Sequence, residues 1–440
     1  MQILYLPFLI VAMLVLVGLG LSLRTRPLAA ATMVMAAYLF DSFLVNVPAI
    51  PLGLMLYPAD IVFGLLFVAA AFRYATGMAK PRAVQWISIG LFMLFAIGLV
   101  RGFASFGIKQ AGNESREWFD FLAGILYFSS FRYTPRMRKK LTSRWLTASM
   151  VLVGIAVFRW VATLAGLGIV AQWQGLLGEG ELRVLNASNA YFLAMAFFAS
   201  VFLNMGNTGP QWQRKAFYLF GPVLLLLQHR TVWVVLLLGL IWMGLKDARF
   251  RGMAIGAIAG MAVVGIVLTA ILFGHKSEIA ASSLRESAGN SDSFVWRVEG
   301  WYQLLFNNPS RNPFNDTIGQ PFGTGFERMV LGERVEVAPH NYYISAFLRL
   351  GIIGLLLLLR LYALGMRRLK LLPIQLRRYV YPDARFWALV LFLQLVYFFT
   401  YGASYDQSIL TGVAIAGMRL RLRRPLPLPY EIPEPPFAEA

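Results

Sequence analysis

Apolar residues run along this chain in long blocks, parted by short charged or turn-rich breaks. That pattern predicts membrane-spanning helices and not alternating strands. The blocks fall near residues 3–23, 28–46, 58–73, 86–100, 118–131, 145–170, 188–206, 216–228, 231–245, 253–274, 341–364, 385–402 and 406–418. Twelve or thirteen spans are expected, several short enough to be broken or tilted. The first, about Ile3 to Leu23, has no basic run before it and no small-residue cleavage site after it, so a retained helix is expected rather than a signal peptide. The one sizeable polar insert, residues 275–340, separates two sets of spans. This divides the chain into transmembrane helices at 1–274, an outer loop domain at 275–340, further transmembrane helices at 341–418, and a cytoplasmic tail at 419–440 that is rich in Pro and acid from Pro425. Within the insert, Phe294 to Asn307 places Phe294, Val298, Trp301 and Leu305 at helical spacing, with Ser291-Asp292-Ser293 as cap residues and Asn308-Pro309 as the stop. It reads as an amphipathic helix on the outer surface. The glycines of Pro321-Phe322-Gly323-Thr324-Gly325-Phe326 allow a close backbone approach to a ligand.

Composition agrees: hydrophobic residues make up 58% and charged residues 14%, which reads as an all-α polytopic membrane protein. Cysteine is absent, so disulfides, thiolate metal sites, iron–sulfur clusters and cysteine nucleophiles are excluded. The net charge of +19 is mostly topology. Most of the basic residues lie in alternate loops, around Arg24, Arg73 to Arg82, Arg132 to Arg144, Arg214, Lys246 to Arg251, Arg367 to Arg385 and Arg419 to Arg424. The positive-inside rule makes those loops cytoplasmic and attracts them to anionic lipid. Nucleic acid is not needed to explain the charge. Arg101, Lys109 and Arg116 strain the scheme by falling on the outer side, partly offset by Glu114 and Glu117. The 34 Phe, 18 Tyr and 11 Trp read as lipid-facing or interfacial.

Three outward groups could perform chemistry. Arg230 sits where one span turns into the next, Arg297 lies on the surface helix, and His340 stands where the outer loop re-enters the membrane. Two guanidiniums can grip a diphosphate and hold the charge that develops as it leaves. A neutral imidazole can take the proton of an attacking hydroxyl. Each also has a plainer reading. Arg230 could snorkel to headgroups, Arg297 could stack on Phe294 or Trp301, and His340 could cap the helix after it. His229 and His275 read as structural or solvated.

The ordered set Arg230, Arg297 with Trp301, Pro321 to Phe326, then His340-Asn341 followed by Gly351 and Gly354, resembles the O-antigen ligase and polymerase superfamily of bacterial membrane glycosyltransferases. The likeness covers roughly residues 216–364. It implies a fold like the C-type glycosyltransferases, with about 12 transmembrane helices and a helical periplasmic cap, in the bacterial inner membrane. It further implies an undecaprenyl-diphosphate-linked glycan donor, a lipid A-core acceptor, and inverting transfer without metal or other cofactor. On that resemblance Arg230 and Arg297 would bind the diphosphate and His340 would activate the acceptor. An acidic residue near the last spans is also implied, and Asp406 is the candidate, with helix N-capping as its plainer reading. One departure is the turn before Arg230, which reads Leu227-Gln228-His229 where small polar residues are more usual.

Other readings stay open. A polymerase would share the donor chemistry. Glu179-Gly180-Glu181, beside Arg183, has spacing suited to a divalent cation. A lipid-linked glycan transporter would need ionisable groups within the spans, where Asp41 and Arg159 are the candidates. A non-catalytic scaffold would not need His340.

Overall fold

A computed structural model describes residues 17–44, 47–51, 55–165, 184–246, parts of 251–266, 292–370 and 374–418. The expected spans at 3–23 and 253–274 lie largely or partly outside the described residues. So do residues 275–291, the tail 419–440 and the pair Glu179 and Glu181 with Arg183.

The protein is mostly helical, as expected of an all-α membrane protein. Among the described residues, besides a five-residue helix at Gln211–Lys215, its helices are α1 (Pro27–Phe43), α2 (Pro58–Ala75), α3 (Ala83–Ser129), α4 (Pro135–Leu164), α5 (Ala187–Met205), α6 (Phe217–Leu226), α7 (Arg230–Lys246), α8 (Asp292–Phe306), α9 (Pro313–Ile318), α10 (Tyr342–Lys370), α11 (Ile374–Tyr397) and α12 (Gln407–Ile415). Five of them, α2, α3, α4, α5 and α10, are long and apolar enough to cross a membrane. Several starts follow local chemistry. Pro27, Pro58 and Pro135 open α1, α2 and α4, where a missing N–H costs nothing. Asp60 Oδ2 accepts from Tyr57 N at 2.8 Å, and Asn186 Oδ1 accepts from Asn189 N at 2.8 Å, closing the first turns of α2 and α5. Three small ribbons join the helices: β1 (Ile50–Pro51) antiparallel to β2 (Met55–Leu56), β3 (Arg132–Tyr133) parallel to β6 (Gly417–Met418), and β4 (Arg328–Val330) antiparallel to β5 (Glu333–Val335).

Residues 86–100 and 118–131 fall in the two halves of α3, which turns back on itself at Gly107, with φ 78 and ψ 166; Gln85 Nε2 reaches Ser129 O at 3.0 Å across the hairpin. Two other expected spans are corrected. The span at 341–364 is not one straight helix, because α10 breaks at Gly351 with φ 68 and ψ −175. Both conformations are accessible essentially to glycine alone. The block at 406–418 forms a helix of only nine residues, about 14 Å long, too short to cross hydrocarbon. It is wholly buried against α3, where Gly124 meets Ser408 and Gly412 meets Phe128 closely enough that a Cβ on either glycine would collide. In α8 the buried face is also not the expected one. Leu304 is buried with Phe326 and Leu348, while Val298 is 43% exposed.

The two ends of the bundle differ. At one end Arg73 donates to Ser130 Oγ (2.8 Å), to Ser130 O (3.0 Å) and to the Arg24 carbonyl, tying three basic turns together. At the opposite end of α2, Asp60 pairs with Arg116 at 3.1 Å. The arginines that strain the charge pattern are therefore held by the protein. Arg116 has Asp60, and Arg101 donates to Gly319 O (2.7 Å) and Asn315 Oδ1 (2.6 Å).

Part of the long polar insert is folded into the bundle. Phe322 is fully buried and its N–H bonds to Gly98 O at 3.1 Å, in the middle of the first half of α3. Gln320 N donates to Leu348 O at 2.7 Å, so the glycine-rich segment wedges between the two broken helices. Gly319 and Gly351 face each other across this seam: a Cβ on Gly319 would run into the Arg349 carbonyl, and one on Gly351 into that of Thr317.

Candidate active site

A cavity of about 760 Å³ opens at the end of the bundle away from Arg73, where α1, α2, α5 and α10 meet the second half of α3 and the turn between α11 and α12. His340 lines it. The residue after it makes the helix cap: Asn341 Oδ1 accepts from Tyr343 N (3.0 Å) and Ile344 N (3.1 Å). Capping is therefore not the task of His340. Tyr342 N donates to Phe398 O at 2.8 Å and Tyr343 Oη to Leu395 O at 2.6 Å, which pins the start of α10 to the end of α11 and fixes where the imidazole stands.

The His340 ring lies between Tyr401 and Trp296, with centroids 6.1 and 6.4 Å away. Arg297 shares the first neighbour: its Cζ is 5.7 Å from the Tyr401 ring centre. It stacks on that ring, as the plainer reading of an arginine on an aromatic face expects. Arg328 shares the second, with its Cζ 5.7 Å from the Trp296 ring. Burial first, then Arg297, then Arg328, lower the His340 pKa to about 4. At neutral pH the imidazole is uncharged, and the burial and cations that keep it so also oppose its protonation.

Arg230 opens α7, half-buried, and is not among the residues lining the cavity. The turn before it takes an unusual shape: Gln228 has φ 53 and His229 Nε2 meets Leu185 O at 2.8 Å. Thr231, the next residue, bonds to Thr400 Oγ1 at 2.8 Å, one residue before Tyr401. His340 and Arg297 thus meet at Tyr401, Arg230 is tied to this turn only through its neighbour Thr231, and neither arginine is among the residues lining the cavity.

Asp406 is placed differently. It is fully buried at the N-cap position of α12, in αR backbone and without a side-chain cap bond. Tyr38, Tyr191, Tyr397 and Tyr405 lie close enough to feel its charge. It sits behind Tyr405, whose ring lines the cavity, and is not itself in the wall. The in-span ions are also accounted for. Arg159 donates to Val184 O (2.7 Å) and to Ser42 O (2.5 Å), binding the last carbonyls of α1, and Asp41 Oδ2 accepts from Tyr405 Oη at 2.5 Å.

Sequence reading missed the wall that faces His340. Asp41, Asp60, Glu117 and Asp120 line the same cavity; Asp120 is 3% exposed with Oδ1 unpartnered, and Arg116 is the cation among them. Tyr57, Trp118, Tyr401 and Tyr405 add flat aromatic faces. Among the described residues no three His, Asp or Glu side chains are placed to hold one metal ion. The available signal was the alternation of loops, which predicts these four, with Glu114 as a fifth carboxylate of the same cavity, at one end of their helices. A second missed feature is Glu114. Its Oε2 accepts from Gly323 N (2.7 Å) and Gly325 N (3.0 Å), and it pairs with Arg349. The glycine amides expected to approach a ligand are taken by a carboxylate of the protein.

Residues 215–359 match the family described as O-Antigen ligase, which supports a member of the O-antigen ligase and polymerase family. That segment contains Arg230, Arg297, Arg328 and His340. No curated protein and no solved structure matches the chain.

Proposed function

We propose, with the O-antigen ligase match at residues 215–359 as premise, that this protein transfers a glycan from undecaprenyl diphosphate to a sugar hydroxyl of lipid A-core. The transfer is inverting and metal-independent, at the periplasmic face of the bacterial inner membrane. The observation that carries the reading is a neutral His340 in the wall of a cavity whose facing wall is carboxylate and aromatic.

In this reading the acceptor lies against Asp41, Asp60, Glu117 and Asp120, whose oxygens accept hydrogen bonds from its hydroxyls, while Tyr57 and Trp118 cover its apolar faces. His340 takes the proton of one hydroxyl as that oxygen bonds to the anomeric carbon of the donor. The bond from this carbon to the diphosphate breaks, and its electron pair leaves with the phosphate oxygen. Attack from the side opposite the leaving group inverts the centre. Arg297 and Arg230 hold the diphosphate and the charge it gains. Asp406 acts indirectly, by orienting Tyr397 and Tyr405 from behind.

Purified protein supplied with lipid-linked glycan and lipid A-core tests this. Product is expected with the unmodified chain and none with His340→Ala. Unchanged transfer by His340→Ala removes the proposed base. Product on a second donor molecule instead of lipid A-core makes the protein a polymerase. No transfer by the unmodified chain favours a transporter or scaffold.

A further inference from the structure

At the opposite, basic end of the bundle, the turn between α2 and α3 and the turn after α3 enclose a second hollow, of about 420 Å³. Arg73, Lys80, Arg82 and Arg132 stand in its wall with Gln85 and Ser130, and no carboxylate does. Arg73 is committed to the fold, since its bonds to Ser130 and to the Arg24 carbonyl form the floor. The other three are not. Lys80 and Arg132 are exposed, Arg82 is half-buried, and none of them makes an ion pair among the described residues.

Bringing these cations together is unfavourable unless something offsets it. Burial first and the neighbouring Arg132 second hold Arg82 below the usual arginine pKa. The backbone keeps them close all the same. Gln85 Oε1 accepts from Arg82 N (3.1 Å) while its Nε2 donates to Ser129 O (3.0 Å), locking one turn to the other. The pairing of Arg132 with Gly417 holds the far side. The hollow also sits at the boundary of the apolar zone, where α2 ends and α3 begins, and Trp86, one turn into α3, is 60% exposed. Tryptophan at such a depth is typical of the headgroup region.

We propose that this hollow binds a phosphate-ester anion, supplied by the headgroup of an acidic phospholipid in the leaflet at this end of the bundle. The two free guanidiniums can each take two phosphate oxygens, and Lys80 adds a mobile point charge at the rim. The site lies at the other end of α2 and α3 from the catalytic cavity and does not depend on the function proposed above.

The test uses the full chain in phosphatidylcholine nanodiscs doped with phosphatidylglycerol, with retained lipid counted by native mass spectrometry. The unmodified protein is expected to keep phosphatidylglycerol in preference to phosphatidylcholine. The triple variant Lys80→Gln, Arg82→Gln, Arg132→Gln is expected to lose that retention by about tenfold or more. A matched triple, Arg136→Gln, Lys139→Gln, Lys140→Gln, removes the same charge from exposed positions at the same end and is expected to keep it. Equal loss in both triples would reduce the effect to diffuse surface charge and overturn the site. So would an absence of preference for phosphatidylglycerol. Binding of inorganic phosphate that depends on the three side chains, without lipid retention, would overturn the lipid as its source. Should the triple variant not purify, Lys80→Gln and Arg132→Gln alone, both exposed, carry the comparison.

Discussion

The His340 titration gives the sharpest test of the cavity. An isolated imidazole titrates near 6.5; in the fold its pKa falls to about 4, through burial, Arg297 and Arg328 in that order. Replacing Arg297 by Gln removes the second cause and leaves the first and third. Since burial is the largest of the three, less than half of the displacement returns, and the midpoint should rise by on the order of 1 pH unit or less. Diethyl pyrocarbonate acylates only neutral imidazole, so its rate at the peptide containing His340, followed by mass spectrometry against pH, reports the midpoint without any activity assay. The unmodified protein should react at an almost constant rate from pH 7 down to about 5, and Arg297→Gln should begin to lose reactivity earlier. A midpoint near 6.5 in the unmodified protein, or one that Arg297→Gln leaves in place, would refute the placement of the arginine beside the imidazole. The sign for stability follows from the same shift. Below pH 6.5 the unfolded chain binds a proton that the folded chain does not, so this contribution is complete above 6.5 and declines as pH falls toward 4.

Four further outcomes are expected. Arg349→Met strands Glu114 beside a fully buried void and should cost about 3–5 kcal/mol, seen as a fall in the unfolding temperature that Glu114→Gln in the same chain partly reverses. Gly351→Ala places a Cβ against the Thr317 carbonyl at a backbone angle closed to alanine; a loss of about 1–3 kcal/mol is expected, and unchanged stability would mean that α10 is not broken there. Asn341→Ala removes the cap of α10, costs about 1 kcal/mol, and should lower kcat for transfer by freeing the chain that carries His340. Glu117→Gln combined with Asp120→Asn should raise the acceptor KM in the transfer assay and leave that of the lipid-linked donor alone; an equal effect on both would separate the carboxylate wall from the acceptor.

What the sequence determined by itself was the apolar periodicity and the residues that lie next to their own chemistry. Runs of aliphatic and aromatic side chains are satisfied as helices in an apolar medium, so α2 and α5 were legible within a few residues, while α4 begins at Pro135, ahead of the expected 145, because its first turns are basic. The order Arg230, Arg297, His340 was legible because it depends on sequence alone. The break at Gly107 falls in the polar stretch between two expected spans, but the one at Gly351 was not legible, since a glycine inside an apolar run looks the same whether it continues the helix or takes φ near +70. Packing decides which: the segment 313–326 reaches α10 only where Gly319 and Gly351 both lack a Cβ. The wall of Asp41, Asp60, Glu117 and Asp120 comes from three different helices, and no spacing along the chain announces it. Asp406 shows the same limit from the other side. Its position before α12 suggests a cap, but the close approach of α12 to α3 turns it inward behind Tyr405, because side-chain burial is set by which neighbours arrive and not by which residue precedes a helix.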